Sequence, residues 1–271
     1  GHYFDAMAGF SATHETVNSF SLKAEGLLTD DLKWNNMNTI GSKENYNAGT
    51  NANKVVRESV LMRLNYNYKS RYYFTFTGRY DGSSNFAENN KWGFFPSAAV
   101  KWNAKNENFL KQVRWLDELS LRLSAGRTGN DAISTYRSLE AYGTTTNGYL
   151  FGGTQSASFF PSRVANPDLT WEKRKEFSIG IDAMLLGNRL SVEAGYYNAL
   201  RDGIITDMSG TLPGIYGMDG IDTYENYNRI RYQGWEAALY WSDRIGEVHY
   251  TVGGSLSTTR GKYLRYNCLL Y

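Results

Sequence analysis

From Arg71 to Trp102 the chain reads RYYFTFTGRYDGSSNFAENNKWGFFPSAAVKW, two alternating segments joined by a polar connection. In the first segment Tyr72, Phe74, Phe76, Gly78 and Tyr80 share one face, while Arg71, Tyr73, Thr75, Thr77, Arg79 and Asp81 share the other. Side chains of a strand point alternately to opposite sides, so this two-residue period predicts β-structure with one apolar and one polar surface. The apolar surface suits hydrocarbon and the polar one water. A soluble sheet packed on a core gives the same alternation, so the rest of the chain has to decide.

The pattern recurs from end to end, in roughly nine segments. Residues 2 to 25 set Phe4, Ala6, Ala8, Phe10 and Ala12 on one face, and residues 55 to 68 oppose Val60, Met62, Leu64 and Tyr66 to Ser59, Arg63, Asn65 and Asn67. In residues 119 to 127, Leu119, Leu121, Leu123 and Ala125 stand against Ser120, Arg122, Ser124 and Gly126. In residues 176 to 186, Phe177, Ile179, Ile181, Ala183 and Leu185 stand against Glu176, Ser178, Gly180 and Asp182. Further segments cover 189 to 201, 231 to 242 and 247 to 260.

The connections alternate between short and long. Short ones lie at Tyr68 to Arg71, Leu186 to Arg189 and Asp243 to Glu247, with a moderate one from Asn103 to Asp117 expected to hold a helical turn around Phe109 to Val113. Long ones lie at roughly 27 to 54, 82 to 92, 128 to 170 and 202 to 230. Loops of that length are unusual in compact soluble domains. They are expected in an outer-membrane barrel, whose periplasmic turns are short and extracellular loops long. Segments of about 9 to 13 residues fit the tilted span of such a barrel, and Tyr66, Tyr68, Tyr80, Trp102, Tyr240 and Trp241 at segment ends resemble its interfacial aromatic girdles. A secreted soluble β-sandwich or propeller that binds carbohydrate through loop aromatics is the alternative, although no fixed repeat period supports a propeller.

Composition narrows the classes. With 41% hydrophobic residues, a mean hydropathy of −0.52 and no run of about 18 apolar residues, no transmembrane helix is expected. The 21 Tyr, 13 Phe and 7 Trp beside only 4 Pro favour strands. A formal net charge of +2 without a basic block gives nucleic acid no electrostatic footprint. The single Cys268 excludes an intrachain disulfide framework. The opening GHYFDAMAGF has no charged region followed by an apolar stretch and is not read as a signal peptide.

Several short motifs bear on family. Arg79-Tyr80-Asp81-Gly82-Ser83-Ser84 followed by Asn89-Asn90-Lys91-Trp92-Gly93-Phe94-Phe95-Pro96-Ser97 resembles the signature hairpin of the SusC/RagA family of TonB-dependent outer-membrane transporters. In the same order, Leu121 to Asn130 (LRLSAGRTGN) resembles the family's LR.SYG.TGN strand end, and Asn166 to Lys173 (NPDLTWEK) its NP.L.WE segment. Asn188-Arg189-Leu190 then leads into a strand carrying Tyr196-Tyr197, as in the family. At Tyr232-Gln233-Gly234-Trp235-Glu236 the chain departs from the usual Asn-x-Gly-aliphatic-Glu pattern, and the tail RYNCLLY matches a family terminal strand poorly.

The resemblance implies an all-β antiparallel meander of about nine strands, residues 1–271 forming part of the β-barrel domain of a transporter with about 22 strands, with no plug domain or TonB box in the chain. It further implies an outer-membrane location and TonB-energised import of oligosaccharides or peptides. The implied partners are a SusD-like surface lipoprotein, the TonB complex acting through the plug, and membrane lipid. A passive porin is a third reading.

No catalytic motif emerges, and neither an enzymatic activity nor a cofactor is expected. His2, His14 and His249 are too far apart for a close metal pair. Gly126-Arg127-Thr128-Gly129 lacks a phosphate loop's lysine, and Ser83 and Ser84 stand in no nucleophile elbow. Asp30-Asp31, or Glu172 with Glu176, is an acidic pair of the kind glycoside hydrolysis uses, but charges on a solvated face explain them more simply. Asp207-Met208-Ser209-Gly210 and Met218-Asp219-Gly220 are weak Ca²⁺ candidates that fit no EF-hand spacing. The loops also hold Trp34, Tyr46, Tyr142, Tyr149, Phe151, Phe159, Phe160 and Tyr216. Among these Trp34, Tyr142, Tyr149, Phe151 and Tyr216 are the candidate ligand or partner contacts, since exposed aromatics stack on sugars or pack on proteins.

Overall fold

The computed structural model describes residues 1–25, 46–145, 148–211 and 221–267. The alternating segments form one nine-stranded sheet. Its strands are β1 (His2–Ala24), β2 (Tyr46–Tyr68), β3 (Tyr72–Ser83), β4 (Trp92–Asn103), β5 (Leu116–Asn130), β10 (Glu172–Leu185), β11 (Leu190–Asp207), β12 (Tyr224–Ile245) and β13 (Val248–Arg265). Each pairs with the next in this order, leaving β1 and β13 as the edges. Between β5 and β10 the chain makes two small hairpins, β6 (Ala141–Thr145) with β9 (Ser158–Arg163), and β7 (Leu150–Phe151) with β8 (Thr154–Gln155).

Register carries the two-faced pattern across the sheet. One row of directly paired residues runs Tyr66, Phe74, Val100, Leu123, Ile179, Tyr196, Trp235 and Thr258, apolar or aromatic until its last member. The adjacent row, on the opposite surface, runs Asn65, Thr75, Ala99, Ser124, Ser178, Tyr197, Gly234 and Thr259. A slip of one residue in any ladder would exchange the two surfaces, so the alternation itself fixes the pairing. The apolar surface is bare: Trp235 is 66% exposed and Leu256 71%. Among the described residues no second sheet packs on it, as a sandwich requires. Phe86, Phe95, Leu169 and Trp171 form a buried cluster at the long-loop end of the sheet.

The short connections are tight. Arg71 N donates to Tyr68 O at 3.0 Å around Lys69 and Ser70, both at φ 53°. Positive φ at both central positions is the hairpin turn that matches strand twist, and Asn67 Oδ1 supports it by accepting from Ser70 N at 3.0 Å. Between β4 and β5 the short helix lies at Ala104–Asn106, earlier than the expected Phe109 to Val113, where the chain makes hydrogen-bonded turns instead.

Several strands outrun the expectation at the long-loop end. β2 begins at Tyr46, β10 at Glu172 and β12 at Tyr224, so much of each expected loop is strand. The chain divides into two compact units, Thr13–Val56 and the remainder. In the smaller unit, the outer parts of β1 and β2 are linked where Ser21 Oγ donates to Gly49 O at 3.4 Å.

Candidate functional site

The polar surface is a hydrogen-bonded lattice. Thr75 Oγ1 donates to Asn65 Oδ1 at 2.9 Å, and Asn65 Nδ2 donates to Asp5 Oδ2 at 2.9 Å. Arg122 pairs with Asp182 at 2.6 Å, the Ser124 and Ser178 hydroxyls meet at 2.7 Å, and Tyr197 Oη meets Thr259 Oγ1 at 2.6 Å. A concavity of about 350 Å³ opens here, lined by Lys101, Arg122, Ser124, Ser178, Tyr197 and Glu236. Such a surface can hold a polar ligand through hydroxyl, carboxylate and guanidinium groups.

At the long-loop end the sequence motifs converge. Asp131 Oδ2 accepts from Arg57 Nε at 2.6 Å and from Ser83 Oγ at 2.6 Å, and its main-chain carbonyl accepts from Asn85 Nδ2 at 3.1 Å. Trp171 Nε1 donates to Lys91 O at 3.1 Å, and Asn90 Nδ2 to Pro167 O at 3.0 Å. The Trp171 ring packs 5.4 Å from Phe86 and edge-on 5.2 Å from Phe95. The RYDGSS, NNKWGFFPS, TGN and NPDLTWE motifs are therefore parts of one folded rim. Asp131 and Asn85 were not flagged in the sequence, although Asp131 directly follows the TGN motif.

Phe95 wedges into a split in the wall. The β4–β5 ladder runs only from Asn103↔Ser120 to Ser97↔Gly126, and above it a Cβ on Gly129 would lie 2.1 Å from Phe95 Cζ. Below the wedge, a concavity of about 400 Å³ is lined by Ser59, Thr77, Arg79, Asp81, Ser97 and Arg127 among others.

The acidic pair resolves into separate structural roles. Glu172 Oε2 accepts from Asn130 Nδ2 at 3.0 Å and Arg201 at 2.9 Å, its Oε1 accepts from Ile205 N at 3.0 Å, and Glu176 pairs with Arg174. Asp207 Oδ1 accepts from Ser209 N at 2.9 Å, while Asp30, Asp31 and Met218 to Gly220 lie outside the described residues. Among the described residues no group of three or more His, Cys, Asp or Glu is arranged to hold a metal ion. At the short-turn end Tyr72 Oη donates to Glu107 Oε1 at 2.6 Å. That hydrogen bond, aided by the Trp102 indole N–H and the Arg71 charge, holds the Glu107 carboxyl below the usual carboxylate range.

Of the candidate contact aromatics, Tyr142, Tyr149 and Phe151 share the excursion between β5 and β10, and all are exposed. Tyr142 lies on β6 and Phe151 on β7, in short strands rather than irregular loop, as are Phe159 and Phe160 on β9. Phe160 packs over Gly143, where a Cβ would sit 2.5 Å from the ring. Tyr46 opens β2, while Trp34 and Tyr216 lie outside the described residues.

A family model described as TonB dependent receptor-like, beta-barrel, matches residues 2–267. The chain belongs to that family. Within it, the motif-based SusC/RagA assignment holds: TonB-dependent receptor SusC of Bacteroides thetaiotaomicron is 37% identical over 175 residues, 62% of this chain and 17% of that protein. TonB-dependent receptor P3 of Formosa agariphila is 30% identical over 261 residues, covering 96% of this chain and 25% of that protein. The RagAB peptide importer in its open-open state shares the fold, with a TM-score of 0.82 over 99% of this chain and 28% of that one, at 23% identity. The chain thus spans about a quarter of the length of TonB-dependent receptor P3.

Proposed function

We propose that this chain is a wall of the barrel domain of a larger outer-membrane nutrient importer of the SusC type, residues 1–271 being part of that barrel. The observation that carries the reading is the continuous apolar row from Tyr66 to Trp235 backed by a hydrogen-bonded polar row. Lipid would meet the first and a water-filled lumen the second. The two edges, β1 and β13, support membership in a larger closed barrel, because unpaired backbone is costly in hydrocarbon.

In this reading the cargo is an oligosaccharide or a peptide, a SusD-like lipoprotein caps the long-loop end, and TonB supplies energy through a plug. The RagAB peptide importer, whose fold the chain shares, supports the peptide class, and the oligosaccharide class rests on the motif resemblance. The chain's part is binding and guidance without covalent chemistry. Tyr142, Tyr149 and Phe151, exposed on the longest described excursion, offer stacking surfaces for ligand or partner, with Trp34 and Tyr216 as further candidates. Uptake of labelled glycan and peptide mixtures by cells expressing the full-length protein, with and without TonB, tests the reading. Energy-dependent import of either class supports it; uptake indifferent to TonB would indicate a passive porin.

A further inference from the structure

The apolar surface changes character abruptly at the long-loop end. Two residues beyond Phe177, Asn198, Gln233 and Arg260, the same surface presents the paired row Lys175, Leu200, Arg231 and Lys262. Three of these four residues are cationic, and Arg260 in the row below adds another. Neither row contains a carboxylate. Lys175, Arg231, Arg260 and Lys262 are all exposed, and none makes an ion pair or side-chain hydrogen bond among the described residues. Asp202, the nearby carboxylate on β11, pairs with Arg229 at 2.7 Å and lies within the field of Lys175 without a direct ion pair to it. Cations elsewhere on the wall differ: Arg79 and Arg122 on the polar surface have carboxylate partners.

The short-turn end of the same surface has no such row. There the pairs are Leu190↔Trp241, Trp241↔Val252, Asp243↔Tyr250 and Ile245↔Val248. Basic side chains are costly beside hydrocarbon unless they reach the interface. A row of them placed directly above Tyr196 and Trp235, on the lipid side and at one end, is therefore at headgroup level.

We propose that Lys175, Arg231, Arg260 and Lys262 form a docking strip for a phosphorylated glycolipid of the leaflet on the long-loop side. This rests on the barrel-wall reading above. Strands stand about 4.8 Å apart, so the strip from β10 to β13 extends about 14 Å, wide enough for a headgroup carrying more than one phosphate. A monoester phosphate approaches two negative charges at neutral pH, against one for a phospholipid diester. Exposed cations in a row thus favour the monoester, and each lysine or arginine near an anionic surface adds to the attraction.

The test uses the full-length protein reconstituted in phosphatidylcholine vesicles, alone or doped with either lipid A or phosphatidylglycerol, and measures lipid retained after purification. Incorporation into pure phosphatidylcholine tests the wall reading separately; failure there overturns that reading and the strip with it, whereas incorporation without lipid A selectivity overturns the strip alone. The strip predicts selective retention of lipid A over phosphatidylglycerol, weakened by salt. Retention should fall at least about tenfold when Lys175→Gln, Arg231→Gln, Arg260→Gln and Lys262→Gln are combined, and persist when each cation is exchanged for the other. Equal retention of both anionic lipids, or retention unchanged by the glutamine substitutions in a protein that still inserts, overturns the proposal.

Discussion

At the scale of single residues, the rim depends on groups that serve several partners. The Asp131 carboxylate accepts from Arg57 and Ser83, while its main-chain carbonyl, which alanine keeps, accepts from Asn85; Asp131→Ala removes the acceptor of two donors and should cost about 1–3 kcal/mol. The check is a lower urea midpoint for the reconstituted protein, together with faster proteolysis within residues 84–91 and 131–171. Gly129→Ala places a methyl where Phe95 sits and should cost a similar amount, about 1–3 kcal/mol. Shortening the wedge with Phe95→Leu should restore part of that loss in the double variant, which the same midpoint would show. Glu107 supplies a pH test. Its folded value lies below the usual carboxylate range, so its stabilisation is complete above that range and is lost as pH falls through the lowered folded value. The stability difference between wild type and Glu107→Gln should therefore be flat near neutrality and shrink in acid; a difference that grew in acid would contradict the assignment.

At the scale of elements, neighbouring residues of one strand should respond in opposite ways. Ile179 faces the apolar surface and Ser178 the polar one. Ile179→Lys should cost about 2–4 kcal/mol in a bilayer, and Ser178→Lys close to none. Equilibrium folding into vesicles measures both. The same difference between faces explains what was legible in the sequence. All nine strands of the sheet were visible because alternation is imposed wherever one face meets an apolar phase. The outer parts of β2, β10 and β12 were missed where polar residues occupy both faces, as in Tyr46–Lys54, Glu172–Lys175 and Tyr224–Arg229, and the period disappears. The β4–β5 split was equally hidden, since Phe95 is one more aromatic in an aromatic-rich hairpin until its approach to Gly129 is seen. The rim could be anticipated only as short motifs resembling a family; that distant motifs meet around Trp171 required the fold.

At the scale of the whole molecule, the sheet has two unlike surfaces and an asymmetry between its ends, with tight turns at one and folded excursions at the other. Its polar surface and exposed loop aromatics suit a conduit, and its apolar surface requires a nonaqueous neighbour. The central claim is that these surfaces meet lipid and water respectively. In a Cys268→Ser background of the full-length protein, single cysteines placed successively from residue 177 to residue 183 on β10 would report this when treated with a lipid-confined probe and with a membrane-impermeant aqueous reagent. The account predicts that positions 177, 179, 181 and 183 react with the first and positions 178, 180 and 182 with the second. Aqueous labelling at every position, or protection of the odd positions from both reagents in detergent-free solution, would contradict it and point instead to a soluble sheet packed on a core.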